Sequence, residues 1–157
     1  MKLKNLTFML MSIFILASCG GKGENKDSGN TENTVANEAK PANVDTKSDK
    51  GIGPVKNVVL NEQIDQEMAD RGAKIFQEKC TACHKPNEKY IGPSPTGVVD
   101  RRSPEWIMNM ILNPEVMIKE NETAKQLLME NNGSPMANQN LTEEQARDVL
   151  EYFRTLK

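Results

Sequence analysis

Cys80-Thr81-Ala82-Cys83-His84 is the stretch of this sequence whose residue types and spacing could do chemistry. Where a Cys-x-x-Cys-His run closes a helix, the two sulfurs fall three residues apart on one face, and both can add to the vinyl groups of a single haem. The histidine that follows is carried under the iron, where its imidazole serves as an axial ligand. Two other chemistries use paired cysteines. A zinc site needs four ligands, usually from a second Cys/His pair, and this sequence has one histidine and no second cysteine pair. A thioredoxin-like redox pair sits in a βαβ setting, which the flanking residues do not form. The expected chemistry is therefore one haem c, covalently attached through Cys80 and Cys83, with His84 on the iron.

The 157 residues allow one domain with room for tails. Twenty basic and 22 acidic residues leave a net charge of −2, with no basic excess to hold nucleic acid. The third cysteine, Cys19, ends a leader made of Lys2 and Lys4, an apolar run at 6–16 and the small pair Ala17-Ser18. That is the layout of a secretory signal, and its apolar run is short of the ~20 residues that span a bilayer. Leu16-Ala17-Ser18-Cys19 resembles the bacterial lipobox, in which the cysteine is acylated and becomes the new N-terminus. The other readings are an uncleaved anchor or an ordinary signal followed by a coincidental cysteine. Residues 20–50 are dominated by Gly, Asn, Ser, Thr, Lys, Glu and Asp, and bury too little apolar surface to offset ordering entropy. Gly51-Ile52-Gly53-Pro54-Val55 and Val58-Val59-Leu60 are more apolar and read as an arm that packs on the domain. The organisation expected is a lipoprotein signal peptide at 1–18, a disordered tether with lipidated Cys19 at 19–50, an ordered arm at 51–60 and the domain at 61–157. Export suits the cysteine motif, since haem c is attached outside the cytoplasm in bacteria. The domain should face the periplasm from a lipid anchor in the cell envelope.

The elements that must position the motif read as helices. One runs from about Ile64 to Cys80, with Met68, Gly72, Ile75 and Phe76 on one face. Gly72 costs about 1 kcal/mol of helix propensity, which a close crossing by another helix would justify. The last helix is the partner: Thr142-Glu143-Glu144-Gln145 is a capping box, and Ala146, Val149, Leu150, Phe153 and Leu156 form an apolar stripe. Phe76 and Phe153 should lie near the crossing. Between them, Ser103-Pro104 and Asn113-Pro114 open two helices, and a further one at 122–132 stops at Gly133. No persuasive strand pattern is present, so the fold class is all-α.

Arg71-Gly72-Ala73-Lys74-Ile75-Phe76, the Cys-x-x-Cys-His run, Ile91-Gly92-Pro93, and Pro135-Met136 ahead of Leu141-Thr142-Glu143-Glu144 stand in the order of a monohaem class I cytochrome c. Residues 71–157 resemble that family along their whole length. Trp106 to Pro114 and Met136 to Glu144 further resemble lipid-anchored cytochromes found beside nitrous oxide reductases. The resemblance implies the class I cytochrome c fold, with N- and C-terminal helices crossing around a covalent haem c. It also implies that the Pro93 carbonyl receives the second ring nitrogen of His84, although Pro95 stands where relatives often have leucine. With one histidine a bis-histidine haem cannot be built. Met68, Met108, Met110 and Met129 fall in expected helices as core filler. Met136, in the loop after Gly133 where the family places its axial methionine, is the expected sixth ligand; Met117 or an open position are the alternatives. Trp106 and Arg101 or Arg102 could donate to a haem propionate, against the plainer reading of the arginines as a solvated turn.

A haem with both axial positions filled by protein is a one-electron carrier, and methionine ligation raises its potential. The expected partners are a quinol-oxidising complex or other donor, a terminal reductase or oxidase as acceptor, and the membrane through the N-terminal lipid. The rivals are a peroxidase-like haem enzyme and a gas- or redox-sensing lipoprotein, both with an open sixth position.

Overall fold

A computed structural model describes residues 46–157; the leader, Cys19 and the tether up to residue 45 lie outside the described residues. The described residues form six helices and no strand: α1 (Gln66–Lys79), α2 (Val98–Arg101), α3 (Pro104–Leu112), α4 (Pro114–Glu120), α5 (Glu122–Glu130) and α6 (Glu143–Thr155). None is long and apolar enough to cross a membrane.

Local chemistry sets the helix ends. Asp65 caps α1 by accepting from the Met68 N–H, and Ser103 caps α3 by accepting from the Trp106 N–H, with Pro104 at the first position. Thr142 and Gln145 close the capping box of α6 from both sides. α5 ends in two left-handed residues, Asn132 (φ 58°) and Gly133 (φ 69°). The four-residue α2 has no signal of its own, being one turn set off by the left-handed Gly97.

The crossing of α1 and α6 organises the domain. A Cβ at Gly72 would stand 2.0 Å from the Asp148 carbonyl oxygen and 2.9 Å from the Val149 nitrogen, so only glycine permits this approach. Phe76 lies edge-on to Phe153 at 5.8 Å between ring centres and tilted on Tyr152 at 5.4 Å. Arg71 on α1 holds the buried Asp148 carboxylate of α6 with two hydrogen bonds of 2.9 and 2.8 Å, which raise the Arg71 pKa further. Lower on α6, the buried Glu151 carboxylate accepts from Arg147 and Arg154, each at 2.5 Å, and from the Asp65 N–H at 2.9 Å. Behind the crossing, Trp106, Ile107, Met108 and Ile111 of α3, Met117 of α4 and Ala124 of α5 fill the core.

The segment before α1 is bound to the domain by polar side chains. Asn109, fully buried, accepts from the Val55 N–H and donates to the Lys50 and Val55 carbonyls, pairing with the arm as a strand would. Glu105 accepts from the Val58 N–H, and Asn113 donates to the Ile52 carbonyl. This attachment begins before residue 51, where the arm was expected to start. The Asp49 carboxylate accepts from Asn121 and Thr123 at the start of α5, its carbonyl accepts from Ser103 at 2.6 Å, and Lys47 donates to the Val99 carbonyl. Met129 is not core filler: it stands 76% exposed on the outer side of α5.

Candidate haem site

The cysteine motif grows directly out of α1. Cys80 caps the helix with its N–H on the Phe76 carbonyl, and the turn continues as the Cys83 and His84 N–H groups both donate to the Cys80 carbonyl. Cys80 is half-buried and Cys83 exposed, and neither is paired. Burial, with the neighbouring Cys83 second, pushes the Cys80 thiol up to about 11. Among the described residues no three His, Cys, Asp or Glu side chains gather where they could hold a metal ion.

The loop from residue 85 to 97 folds back over His84. The Gly92 N–H donates to the Cys83 carbonyl at 2.8 Å, which lays the Gly92 backbone on the imidazole face. A Cβ at Gly92 would come within 2.5 Å of His84 Cε1 and 2.8 Å of Nδ1. His84 Nδ1 lies 2.8 Å from the Pro93 carbonyl oxygen. A carbonyl only accepts, so Nδ1 carries the proton and Nε2 keeps the lone pair for a metal. Ser94 and Thr96 both donate to the Pro86 carbonyl, and Arg101 donates to the Thr96 carbonyl at 3.0 Å, closing the loop on itself. Pro95, the departure from the family pattern, is buried beneath it, and its carbonyl accepts from the Val98 N–H to start α2.

Of the expected propionate donors, Trp106 requires correction. Its ring is buried and its Nε1–H donates to Asn121 Oδ1 at 3.1 Å, because Asn121 ties α3 to α5 and the arm through Asp49. The ring instead carries the Arg102 guanidinium, 5.3 Å above it. Arg101 faces the loop carbonyls. Arg102 alone presents a buried donor, Nε, that has no partner among the described residues, and burial lowers its pKa. Asn131 Oδ1 is the other such atom.

The two methionines weighed for the sixth position differ sharply. Met117 is fully buried, and its sulfur accepts from the Ile52 N–H at 3.0 Å; it anchors the arm. Met136 is half-buried on the loop joining α5 to α6, packed against the core. The roles of Asn109, Glu105, Asn121 and Asp49 were not legible in the sequence, where they read as ordinary helix and linker residues.

Residues 69–157 match the family model described as Cytochrome c. Over 89 residues the chain is 35% identical to a cytochrome c-553-like protein of Synechocystis sp., covering 56% of this chain and 69% of that protein. Among solved structures, a cytochrome c from Rhodothermus marinus is 48% identical with a TM-score of 0.64, covering 66% of this chain and 89% of the other. An engineered form of the Rhodothermus marinus protein is 47% identical at the same TM-score, covering 66% and 90%. The chain belongs to the cytochrome c family and has the all-α class I cytochrome c fold. It is a haem-based electron carrier with redox protein partners, and its haem c is covalently attached at Cys80 and Cys83.

The residues present fit that group. The thiols stand at the helix end, His84 is oriented with Nε2 free, the Gly92 backbone makes room for the ring, and Arg102 Nε is a buried donor awaiting an acceptor.

Proposed function

We propose that this chain is a lipid-tethered one-electron carrier with His84 and Met136 as its two axial ligands. The observation that carries it is the His84–Pro93 contact, which fixes the imidazole tautomer and leaves one nitrogen for iron. Haem c supplies the Fe(II)/Fe(III) couple; the chain binds, orients and shields it. Cys80 and Cys83 hold it at the end of α1, and Gly92 and Pro93 keep the imidazole upright. Met136 caps the opposite side from the loop after Gly133, supported by the commitment of the Met117 sulfur to the arm. With both axial positions taken by protein, a substrate must displace a ligand before it can react, which favours transfer over turnover.

In this reading the leader is removed and Cys19 is acylated, so the domain works on a leash at the periplasmic face of the envelope. Its donor is a quinol-oxidising complex and its acceptor a terminal reductase or oxidase, with nitrous oxide reductase the class that the looser resemblance of Trp106 to Pro114 and Met136 to Glu144 favours. The chain performs no catalysis of its own.

The test is spectroscopic. The oxidised wild type should show the weak far-red band of a methionine–iron bond; Met136→Ala should abolish it, lower the potential and admit CO, whereas Met117→Ala should retain it. A high-spin wild type that binds CO readily would overturn the carrier in favour of a haem enzyme or sensor. The tether is tested separately. Cys19→Ser should release the protein from the membrane fraction with its haem spectrum unchanged.

A further inference from the structure

Asn132-Gly133 is the only Asn-Gly pair in the sequence, and the fold puts it where α5 stops. The Asn132 N–H donates to the Met129 carbonyl at 3.1 Å, and the Gly133 N–H reaches back to the Leu128 carbonyl at 2.9 Å. A helix end closed by these two bonds needs left-handed backbone, and both residues supply it, at φ 58° and 69°. Asparagine takes that conformation more readily than most residues with a side chain, and glycine takes it freely. A Cβ at Gly133 would meet nothing within 4 Å, so the dihedral and not packing calls for glycine here. Both residues are exposed to water.

The pair that suits this helix end has a chemistry of its own. The backbone nitrogen of the residue after an asparagine can attack the side-chain Cγ and close a five-membered imide, and glycine at that place offers no side chain to obstruct it. The N–Cγ bond forms, the bond from Cγ to the amide nitrogen breaks, and ammonia leaves with the proton of the backbone N–H. Water then opens the imide at one carbonyl or the other. One opening gives aspartate; the other gives isoaspartate, whose backbone runs through the former side chain and is longer by one methylene. In the folded protein the Gly133 nitrogen is engaged, and must leave the Leu128 carbonyl before it can attack. Lys89 donates to the Glu130 carbonyl at 2.6 Å and pins the last turn of α5 to the loop over His84, so this opening is confined to the residues that follow.

We propose that Asn132 is a site of spontaneous deamidation, gated by the opening of this helix end, and that the reaction frees Met136 from the iron as the protein ages. The release of Met136 rests on the ligand set proposed above. The Ser134 N–H donates to the Asn131 carbonyl at 3.1 Å, so the added methylene and the new negative charge fall inside the turn that starts the Met136 loop. Neither this bond nor the one from Gly133 to Leu128 keeps its register once the backbone between Asn132 and Gly133 lengthens. Met136 follows only three residues beyond Gly133, and a slack turn no longer holds its sulfur in place.

The test is to age the oxidised full-length holoprotein at mildly alkaline pH and map its peptides by mass spectrometry. The peptide holding Asn132 should show the mass gain of an amide turned to an acid, with isoaspartate in the product, before any other described asparagine reacts. The chain unfolded in urea should react roughly 2–10-fold faster at that site, the worth of the one hydrogen bond that must open. The far-red methionine band of the folded samples should fade at the rate at which isoaspartate accumulates. Asn132→Gln cannot close the five-membered ring, and should keep its mass and its band through the same incubation. The proposal is overturned if Asn132 stays intact while other asparagines react, or if deamidated protein keeps its band undiminished. Should Asn132→Gln misfold, the wild type still decides, because equal rates in the folded and unfolded chain would remove the gate. The band recorded before incubation judges the ligand set separately.

Discussion

Gly72→Ala is the smallest change that tests the frame on which the haem site is built. On helix propensity alone it should help, by about 1 kcal/mol, since alanine is the better helix former. The crossing reverses the sign. The added methyl would meet the Asp148 carbonyl oxygen at 2.0 Å, against the 3.4 Å at which ordinary contact begins. The obstacle is backbone on α6, which cannot swing aside as a side-chain tip can. Relief requires α1 and α6 to part by about 1.4 Å, and a gap of ~0.5–1 Å already forfeits a quarter to a half of each contact's attraction. The contacts at stake are Phe76 on Tyr152 and Phe153, and the two hydrogen bonds from Arg71 to Asp148. Overpacking at the upper end of its usual range, ~3 kcal/mol, less the propensity gain, leaves a net loss of about 2 kcal/mol. In a domain of this size that lowers the melting temperature by on the order of 10 °C. Thermal unfolding of the holoprotein followed by far-UV circular dichroism reads it. Gly133→Ala is the control: its Cβ would meet nothing within 4 Å, and its cost, about 1 kcal/mol, comes only from the left-handed backbone at φ 69°. A midpoint for Gly72→Ala that is unchanged or raised would refute the crossing.

Other perturbations read other parts of the molecule. Gly92→Ala places a methyl 2.5 Å from His84 Cε1 and should tilt the imidazole, moving the paramagnetically shifted proton resonances of the His84 ring and the haem methyls in the oxidised protein; an unaltered pattern would mean the loop yields and the ring does not. Asn109→Leu keeps the branching at Cγ but removes three hydrogen bonds to the arm and leaves the Val55 N–H buried, and should cost about 2–4 kcal/mol in urea denaturation while leaving the haem spectrum intact. Burial alone would raise the Glu105 carboxyl, but hydrogen bonds from its own backbone and the Val58 N–H, with Lys50, outweigh it and hold the group below the usual carboxylate range. Its contribution is thus present above the unfolded pKa of about 4.3 and lost as pH falls through the lower folded value, so the protection factor of the Val58 amide, its exchange rate taken relative to the intrinsic rate at each pH, should fall on acidification in wild type and stay level in Glu105→Gln.

What the sequence displayed and what it concealed divide along a physical line. The helix starts at Ser103-Pro104 and Thr142, the stop at Gly133 and the Gly72 crossing were readable because each is a local rule: a cap, a left-handed residue, a missing side chain on an apolar face. Cys80, Cys83 and His84 were readable for the same reason, being contiguous. The errors fall where one group's partner lies far along the chain. Trp106 carried the right donor for a propionate, yet Asn121, fifteen residues on, had the better claim to it. Asp49 looked like one more charge in a polar linker, although it joins the starts of α3 and α5 through Ser103, Asn121 and Thr123. Met117 and Met136 were distinguished in the sequence only by loop against helix. The fold adds a reason that sequence periodicity does not contain: the arm passes over α4 and occupies the Met117 sulfur. On the proposed ligand set the arm bears on the haem chemistry indirectly, since its hold on the Met117 sulfur keeps that methionine in the core while Met136 is the one assigned to iron.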